Sequence, residues 1–167
     1  MTTGGQTEAD TSLLELAVDS GNLPVSSLSS LLRVLQATLR EVARGDDDTR
    51  EVFSQQSQPV LHLYTRIAEG ELVMGFAFVG PLDAEAMSGV SERVFGRFLG
   101  RLSQLIKTLP QRGLWGDLVA GGRQQRHESE VEQRLDHLRM ELRRFPRATL
   151  RFQGQAILFE GDRMEIV

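Results

Sequence analysis

Residues 59–79, "PVLHLYTRIAEGELVMGFAFV", contain two alternating runs of apolar side chains separated by a glutamate and a glycine. Apolar residues at every second position place one face of each run against a core, as in a β-strand. Glycine readily adopts the positive φ that a tight hairpin turn needs. The stretch therefore predicts a β-hairpin with Leu61, Leu63 and Ile67 on the core face of its first strand. The core positions of the second strand are Leu72, Met74, Phe76 and Phe78.

The chain before this hairpin predicts a tail, a strand, a helix and a linker. Residues 1–11 show no periodicity and predict a disordered tail, which leaves 12–167 as a single domain. The run "LLELAV" predicts a short strand with Leu14, Leu16 and Val18 on one side.

A helix should follow this strand, because Pro24 suits a first helical turn and Gly45 suits a helix end. Between them, apolar residues recur at steps of three and four, which is the pattern of one buried helix face. These residues are Leu28, Leu31, Leu32, Leu35, Leu39 and Val42. The next stretch, "GDDDTREVFSQQSQ", is polar enough to predict a solvated linker.

After the hairpin, Pro81 and Asp83 open a second helix that we expect to stop at Pro110. Its apolar stripe contains Met87, Val90, Val94, Phe98, Leu102, Leu105 and Leu109. The segment "QRGLWGDLVAGG" is glycine-rich and predicts irregular structure. Ser129 and Glu132 form a capping-box pattern, so we expect a third helix to begin there and to end before Pro146. The apolar stripe of this helix contains Val131, Leu135, Leu138, Leu142 and Phe145.

The last twenty residues, "ATLRFQGQAILFEGDRMEIV", predict two or three strands joined by short turns. Their candidate core pairs are Leu150 with Phe152, Ile157 with Phe159, and Met164 with Ile166. The predicted order is therefore β-α-β-β-α-α-β-β-β. Short loops between consecutive strands favour antiparallel pairing, and single apolar stripes favour helices on one face of a sheet. We expect an α+β fold with an antiparallel sheet of five to six strands.

Composition excludes several classes of protein. The chain has no cysteine, so disulfides, thiolate nucleophiles and cysteine-rich zinc sites are excluded. Its start resembles no signal peptide, and no apolar run approaches the roughly 18 residues of a membrane span. We therefore expect a cytoplasmic protein that does not enter membranes. All basic residues except Lys107 are arginine, a bias typical of a GC-rich bacterial genome.

Catalytic and cofactor motifs are not found in the sequence. Neither a phosphate-binding loop nor a dinucleotide fingerprint is present. His62 alternates away from the core face, and His127 and His137 lack the spacing of a metal pair. The acids at 46–48 are those of the predicted linker, and those at 128, 130 and 132 fit a first helical turn, where the helix dipole favours them. We assign no catalytic, cofactor-binding or metal-binding residue, and an enzyme whose site lacks a linear motif stays open as an alternative.

Charge is unevenly distributed along the chain. Residues 1–83 hold five basic and twelve acidic residues, whereas 84–167 hold fourteen basic and eleven acidic ones. The arginine-rich region 93–151 leaves a second alternative open, a nucleic-acid-binding accessory protein that neutralises phosphates. Acids at 128, 130, 132, 136 and 141 are interleaved with these arginines, and such a pattern is also typical of a solvated helix face.

The second helix carries three glycines opposite its apolar stripe, at positions 89, 96 and 100. Each glycine costs about 1 kcal/mol of helix stability relative to alanine. Two explanations stay open: the glycines face solvent and are tolerated, or they let another backbone approach, from this chain or from a partner. In the second case the flanking arginines could meet Asp46–Asp48 of a second chain.

The candidate interaction face contains Arg93, Gly96, Arg97, Gly100 and Arg101. The sequence as a whole favours a non-catalytic interaction or regulatory protein that acts through this helical surface. Its partner would be another protein or a second copy of the chain.

Overall fold

The computed structural model describes residues 13–19, 21, 23–54, 56–112 and 123–167. Side chains are described for all of these except 109–112 and 123–129. The predicted tail 1–11 and the glycine-rich segment from residue 113 lie outside the described residues.

Six strands and four helices form in this part of the chain. The strands are β1 (Leu14–Asp19), β2 (Val60–Ala68), β3 (Glu71–Val79), β4 (Ala148–Phe152), β5 (Gln155–Glu160) and β6 (Arg163–Ile166). The helices are α1 (Val25–Arg44), α2 (Asp47–Ser54), α3 (Ala84–Arg112) and α4 (Arg123–Leu142).

All six strands belong to one antiparallel sheet with the order β2-β3-β1-β4-β5-β6. The α+β prediction is thus confirmed. Strand β1 lies between the two strand units that come later in the chain, so Leu16 is paired with both Met74 and Leu150. The sheet therefore has two ends, and β2 and β6 are its edge strands.

The core lies between the helices and one face of the sheet. Leu14, Leu16 and Val18 are buried there, as predicted, in one cluster with the apolar stripes of α1, α3 and α4. A row of phenylalanine rings connects four elements through this cluster. The ring centres of Phe53 and Phe78 are 5.0 Å apart, those of Phe78 and Phe95 5.7 Å, and those of Phe95 and Phe152 5.8 Å.

The hairpin prediction is confirmed, but the core prediction for its first strand is wrong in part. Glu69 and Gly70 form the turn, with φ of 50° and 81°. Leu61 is only half-buried, and Leu63 and Ile67 are exposed. The reason is that β2 is an edge strand. The helices that bury the helix side of β3 do not extend over the same side of β2.

The predicted linker after α1 is wrong, because residues 47–54 form helix α2. Asp46 starts this helix: its Oδ1 accepts the backbone N–H of Asp48 at 3.2 Å, and its carbonyl accepts the N–H of Arg50 at 2.8 Å. The Thr49 hydroxyl donates to the Ala43 carbonyl at 2.6 Å, which fixes α2 against the end of α1. Phe53 is fully buried, so this polar stretch contributes one large side chain to the core.

Two other helix boundaries differ from their predictions. Helix α3 continues two residues past Pro110 to Arg112, so the predicted stop at this proline is wrong. Helix α4 begins at Arg123, so Ser129 does not cap it. Residues 123–128 contain no helix breaker, and the acids from 128 onward consequently lie beyond the first turn. Their explanation by the helix dipole is therefore wrong.

The three carboxyl-terminal strands are confirmed, together with most of their predicted core residues. Leu150, Phe152, Ile157 and Phe159 are buried. The last pair is less covered, since Met164 is half-buried and Ile166 is exposed on the edge strand β6.

Candidate interaction surfaces

The outward face of α3 contains the residues that the sequence singled out. Arg93, Gly96, Arg97 and Gly100 are exposed along one stripe, and Arg101 is half-buried beside it. A Cβ atom added at Gly96 would lie 3.9 Å from the Phe152 ring, which is ordinary van der Waals contact. A Cβ added at Gly100 would meet no described atom within 4 Å. Neither glycine is therefore needed to let another described part of this chain pack against α3.

Replacing Gly96 and Gly100 together with alanine should raise the free energy of unfolding by roughly 1–2 kcal/mol, because alanine removes the helix penalty and has room at both positions. Denaturant midpoints of the double variant and the parent protein measure this change. The matched control is the leucine pair, whose mass by light scattering should equal that of the parent. A destabilised alanine pair, or a leucine pair that dissociates an oligomer, would mean that this face packs against a partner.

The arginines of α3 bind the junction between α1 and α2 of the same chain. Arg93 donates from Nε to Asp46 Oδ2 at 2.5 Å and from Nη2 to Asp46 Oδ1 at 3.4 Å, and it also pairs with Asp48. Arg97 Nη1 lies 3.8 Å from Asp46 Oδ1. Asp46 and Asp48 thus contact these arginines within one chain, whereas the hypothesis placed the acids in a second chain.

Asp46 is only 5% exposed, and it is charged because of this arrangement. The hydrogen bond from Arg93 lowers the pKa of the Asp46 carboxyl, and the Asp48 N–H and the charge of Arg97 act in the same direction. Burial raises the pKa but is outweighed. The ion pairs of Asp46 with Arg93 and Arg97 thus hold α3 against the junction of α1 and α2.

Most described arginines of the region 93–151 have carboxylate partners. Besides Arg93 and Arg97, the pairs are Arg134 with Glu41, Arg139 with Asp136, Arg143 with Asp162, and Arg144 with Glu141. A phosphate backbone would have to compete with these intramolecular partners. The arrangement does not favour a continuous basic surface for nucleic acid.

The histidines and cavities form no recognisable catalytic constellation among the described residues. His62 is exposed as predicted, and His137 is exposed with Nε2 3.6 Å from Glu141 Oε1. The side chain of His127 lies outside the described part. A cavity of about 320 Å³ lies beside the start of α3, and it is lined by apolar residues and serines without a titratable group. In the described ranges no three acidic or histidine side chains are close enough to hold a metal ion.

Strand β2 carries the largest concentration of exposed apolar side chains. The described part of the chain has ten exposed large apolar or aromatic residues, and six of them fall between residues 60 and 82. These six are Val60, Leu63, Tyr64, Ile67, Val79 and Leu82. Ile67 is 79% exposed, Tyr64 50% and Leu63 45%. Leu63 and Ile67 lie on the helix side of the sheet and Tyr64 on the other side, since residues alternate along a strand.

The two edges of the sheet differ in length and in charge. Strand β2 has nine residues, and no strand of the described chain lies on its outer side. Strand β6 has four residues and carries Arg163 and Glu165, which pair with each other at 2.9 Å. Short length and charge are the features by which proteins protect an edge from pairing with another chain. The β6 edge has both features, whereas the helix side of β2 has no charged residue.

On the other face of the sheet, an ion pair crosses β3 beside Tyr64. Tyr64 and Glu15 are each paired with Gly75, which has no side chain between them. Arg66 Nη2 reaches Glu15 Oε2 at 3.1 Å across this gap. Together with Leu13, these side chains line a cavity of about 150 Å³. The charge of Arg66 is thus balanced within its own chain, while its guanidinium stays half exposed.

Sequence reasoning missed the edge surface, which we define as Val60, Leu63, Tyr64 and Ile67. A signal for it exists in the printed sequence. Strand β3 is apolar almost throughout, as expected of a strand with neighbours on both sides, whereas β2 alternates apolar residues with His62, Tyr64 and Arg66. That contrast distinguishes an interior strand from an edge.

No protein-family model, curated protein or solved structure matches the chain. None of the helices in the described ranges is long and apolar enough to cross a membrane. The geometry of the two surfaces is accordingly the basis for inferring a function.

Proposed function

We propose that this chain is a cytoplasmic, non-catalytic interaction protein that binds a protein partner by adding a strand to β2. In strand addition, an extended segment of the partner completes the hydrogen bonds of a sheet edge, and side chains on alternate positions give specificity. The observation that carries the proposal is the edge surface itself: a nine-residue edge strand with exposed apolar side chains on both faces.

The energetics favour a partner at this position. An exposed, long and apolar edge is a site of pairing with other chains unless something protects it. Burying the exposed area of Ile67 and Leu63 would add about 25 cal/mol for each Å² of apolar surface removed from water. The outer face of α3, by comparison, carries glycines, and two of its three arginines, Arg93 and Arg97, already contact Asp46. The edge surface therefore supports the interaction role more strongly than the helical face.

Photo-crosslinking in cells of the source organism tests this function. A photoreactive residue is placed in turn at Ile67 on β2, at Ile166 on β6 and at Gly100 on α3. All three positions are exposed, so they report on three surfaces of one fold. We expect protein adducts from position 67 and none from position 166 or 100.

Adducts from position 100 alone would instead support the helical face. Absence of adducts at position 67 in a folded protein would refute the proposal. The mass of the adduct shows whether the partner is another protein or this chain.

A further inference from the structure

We infer that the partner of β2 is a second copy of this chain, paired antiparallel about a twofold axis that passes through Thr65. This inference rests on the proposed function and specifies the partner of the same edge. It joins the two sheets into one continuous sheet of twelve strands, with the helices of both copies on the same side. A twofold axis makes the contact self-complementary, as in most homodimers.

The side chains of β2 determine the register. With Thr65 facing Thr65 of the second copy, Leu63 lies opposite Ile67 and Tyr64 lies opposite Arg66. The apolar pair forms twice on the helix side, where both residues are exposed in a single chain. Cross-strand pairs of apolar residues and of threonines are stabilising contacts in antiparallel sheets. The two apolar residues that the chain leaves exposed on this face thus cover each other.

The charges on the opposite face do not oppose this register. Tyr64 of each copy lies opposite Arg66 of the other, so its ring can pack against the aliphatic part of that side chain. Each Arg66 guanidinium extends inward across β3 to Glu15 at 3.1 Å, away from the twofold axis. The ion pair across β3 therefore removes the repulsion that would otherwise oppose this arrangement.

A shift of the axis to Tyr64 gives a poorer match. Arg66 would then lie opposite His62, which places a guanidinium beside an imidazole. Ile67 would lie opposite Leu61, which is already half-buried in its own chain, and Leu63 would lie opposite Thr65. The exposed apolar side chains would no longer cover each other, so the register about Thr65 is preferred.

Cysteine substitution tests the register directly, because the chain has no cysteine of its own. Residues directly opposite in an antiparallel pair have Cβ atoms about 4.5–5.5 Å apart, close to the separation that a disulfide spans after small shifts. Under mild oxidation, the Thr65→Cys variant should form a covalent dimer as its main product. The Tyr64→Cys and Ile67→Cys variants should not, because the two copies of each residue would be about 7–8 Å and roughly 13 Å apart in the paired strands.

A mixture of the Leu63→Cys and Ile67→Cys variants provides a second test that does not alter Thr65. We expect the mixture to cross-link far more than either variant alone, because these positions face each other. The parent protein should sediment at twice the 18.6 kDa mass of one chain. A dimer cross-linked mainly through Tyr64→Cys, or through no β2 position, would overturn the inference. A monomer at all concentrations would overturn it too, while adducts of another protein at position 67 would leave the proposed function standing.

Discussion

Replacing Phe53 with alanine should lower the free energy of unfolding by about 3–5 kcal/mol, the usual cost of removing a buried phenylalanine. Phe53 is fully buried, and its ring meets that of Phe78 edge-to-face at 5.0 Å. Phe78 in turn stacks near Phe95, so the cavity would open at the end of a continuous row of rings. The measurement is equilibrium unfolding by denaturant, followed by far-UV circular dichroism.

The matched control for this prediction is Glu51→Ala in the same helix. Glu51 is exposed, and alanine is an excellent helix former, so stability should change by less than about 0.5 kcal/mol. If residues 45–58 were a solvated linker, the two variants would behave alike. A small effect of Phe53→Ala would therefore contradict the place of α2 in the core.

The second large effect is expected at Asp46. The Asp46→Ala variant loses the cap of α2 and the hydrogen bonds from Arg93, and we expect a loss of about 2–3 kcal/mol at neutral pH. The Asp46→Asn variant separates the two contributions, because asparagine caps helices as well as aspartate does but has no charge. It should lose less stability than the alanine variant.

The pH dependence of Asp46 has a definite sign. The pKa of Asp46 is lowered in the folded state, so the folded protein binds this proton less readily than the unfolded chain. The contribution of the charge is present above the ordinary carboxyl pKa of about 3.9 and is lost as the pH falls through the lower folded value. The stability difference between the parent protein and Asp46→Asn should therefore be constant near neutral pH and shrink in acid. A difference that grows in acid would contradict the ion pair.

The parts of the fold that depend on local pattern are predictable from the sequence. The hairpin turn at Glu69 and Gly70 and the inward face of β1 follow from two-residue alternation and turn chemistry. The stripe of α4 follows from helical spacing, even though the helix begins six residues before its predicted start at Ser129. These features need only neighbours within a few residues, which is why the printed sequence contains them.

The features that decide the candidate sites depend on contacts between distant residues. Asp46 and Arg93 are 47 residues apart, and nothing local to the aspartate run indicates that α3 passes beside it. Likewise, the alternation of β2 predicts which face of the sheet Ile67 lies on, but it does not indicate whether a helix covers that face. The cover depends on β1 entering the sheet between β3 and β4, which places β2 at the edge.

Hydrogen–deuterium exchange of residues 60–68, followed by mass spectrometry over a dilution series, tests most directly whether β2 binds a second copy. Strand addition satisfies the outward backbone N–H groups of β2 and should slow their exchange as protein concentration rises. The Ile67→Arg variant should keep fast exchange at every concentration, because a charge at this exposed apolar position opposes pairing. As an internal control, residues 163–166 of β6 should exchange at the same rate in both proteins. Exchange of β2 that is independent of concentration, and as fast in the parent protein as in Ile67→Arg, would contradict the account.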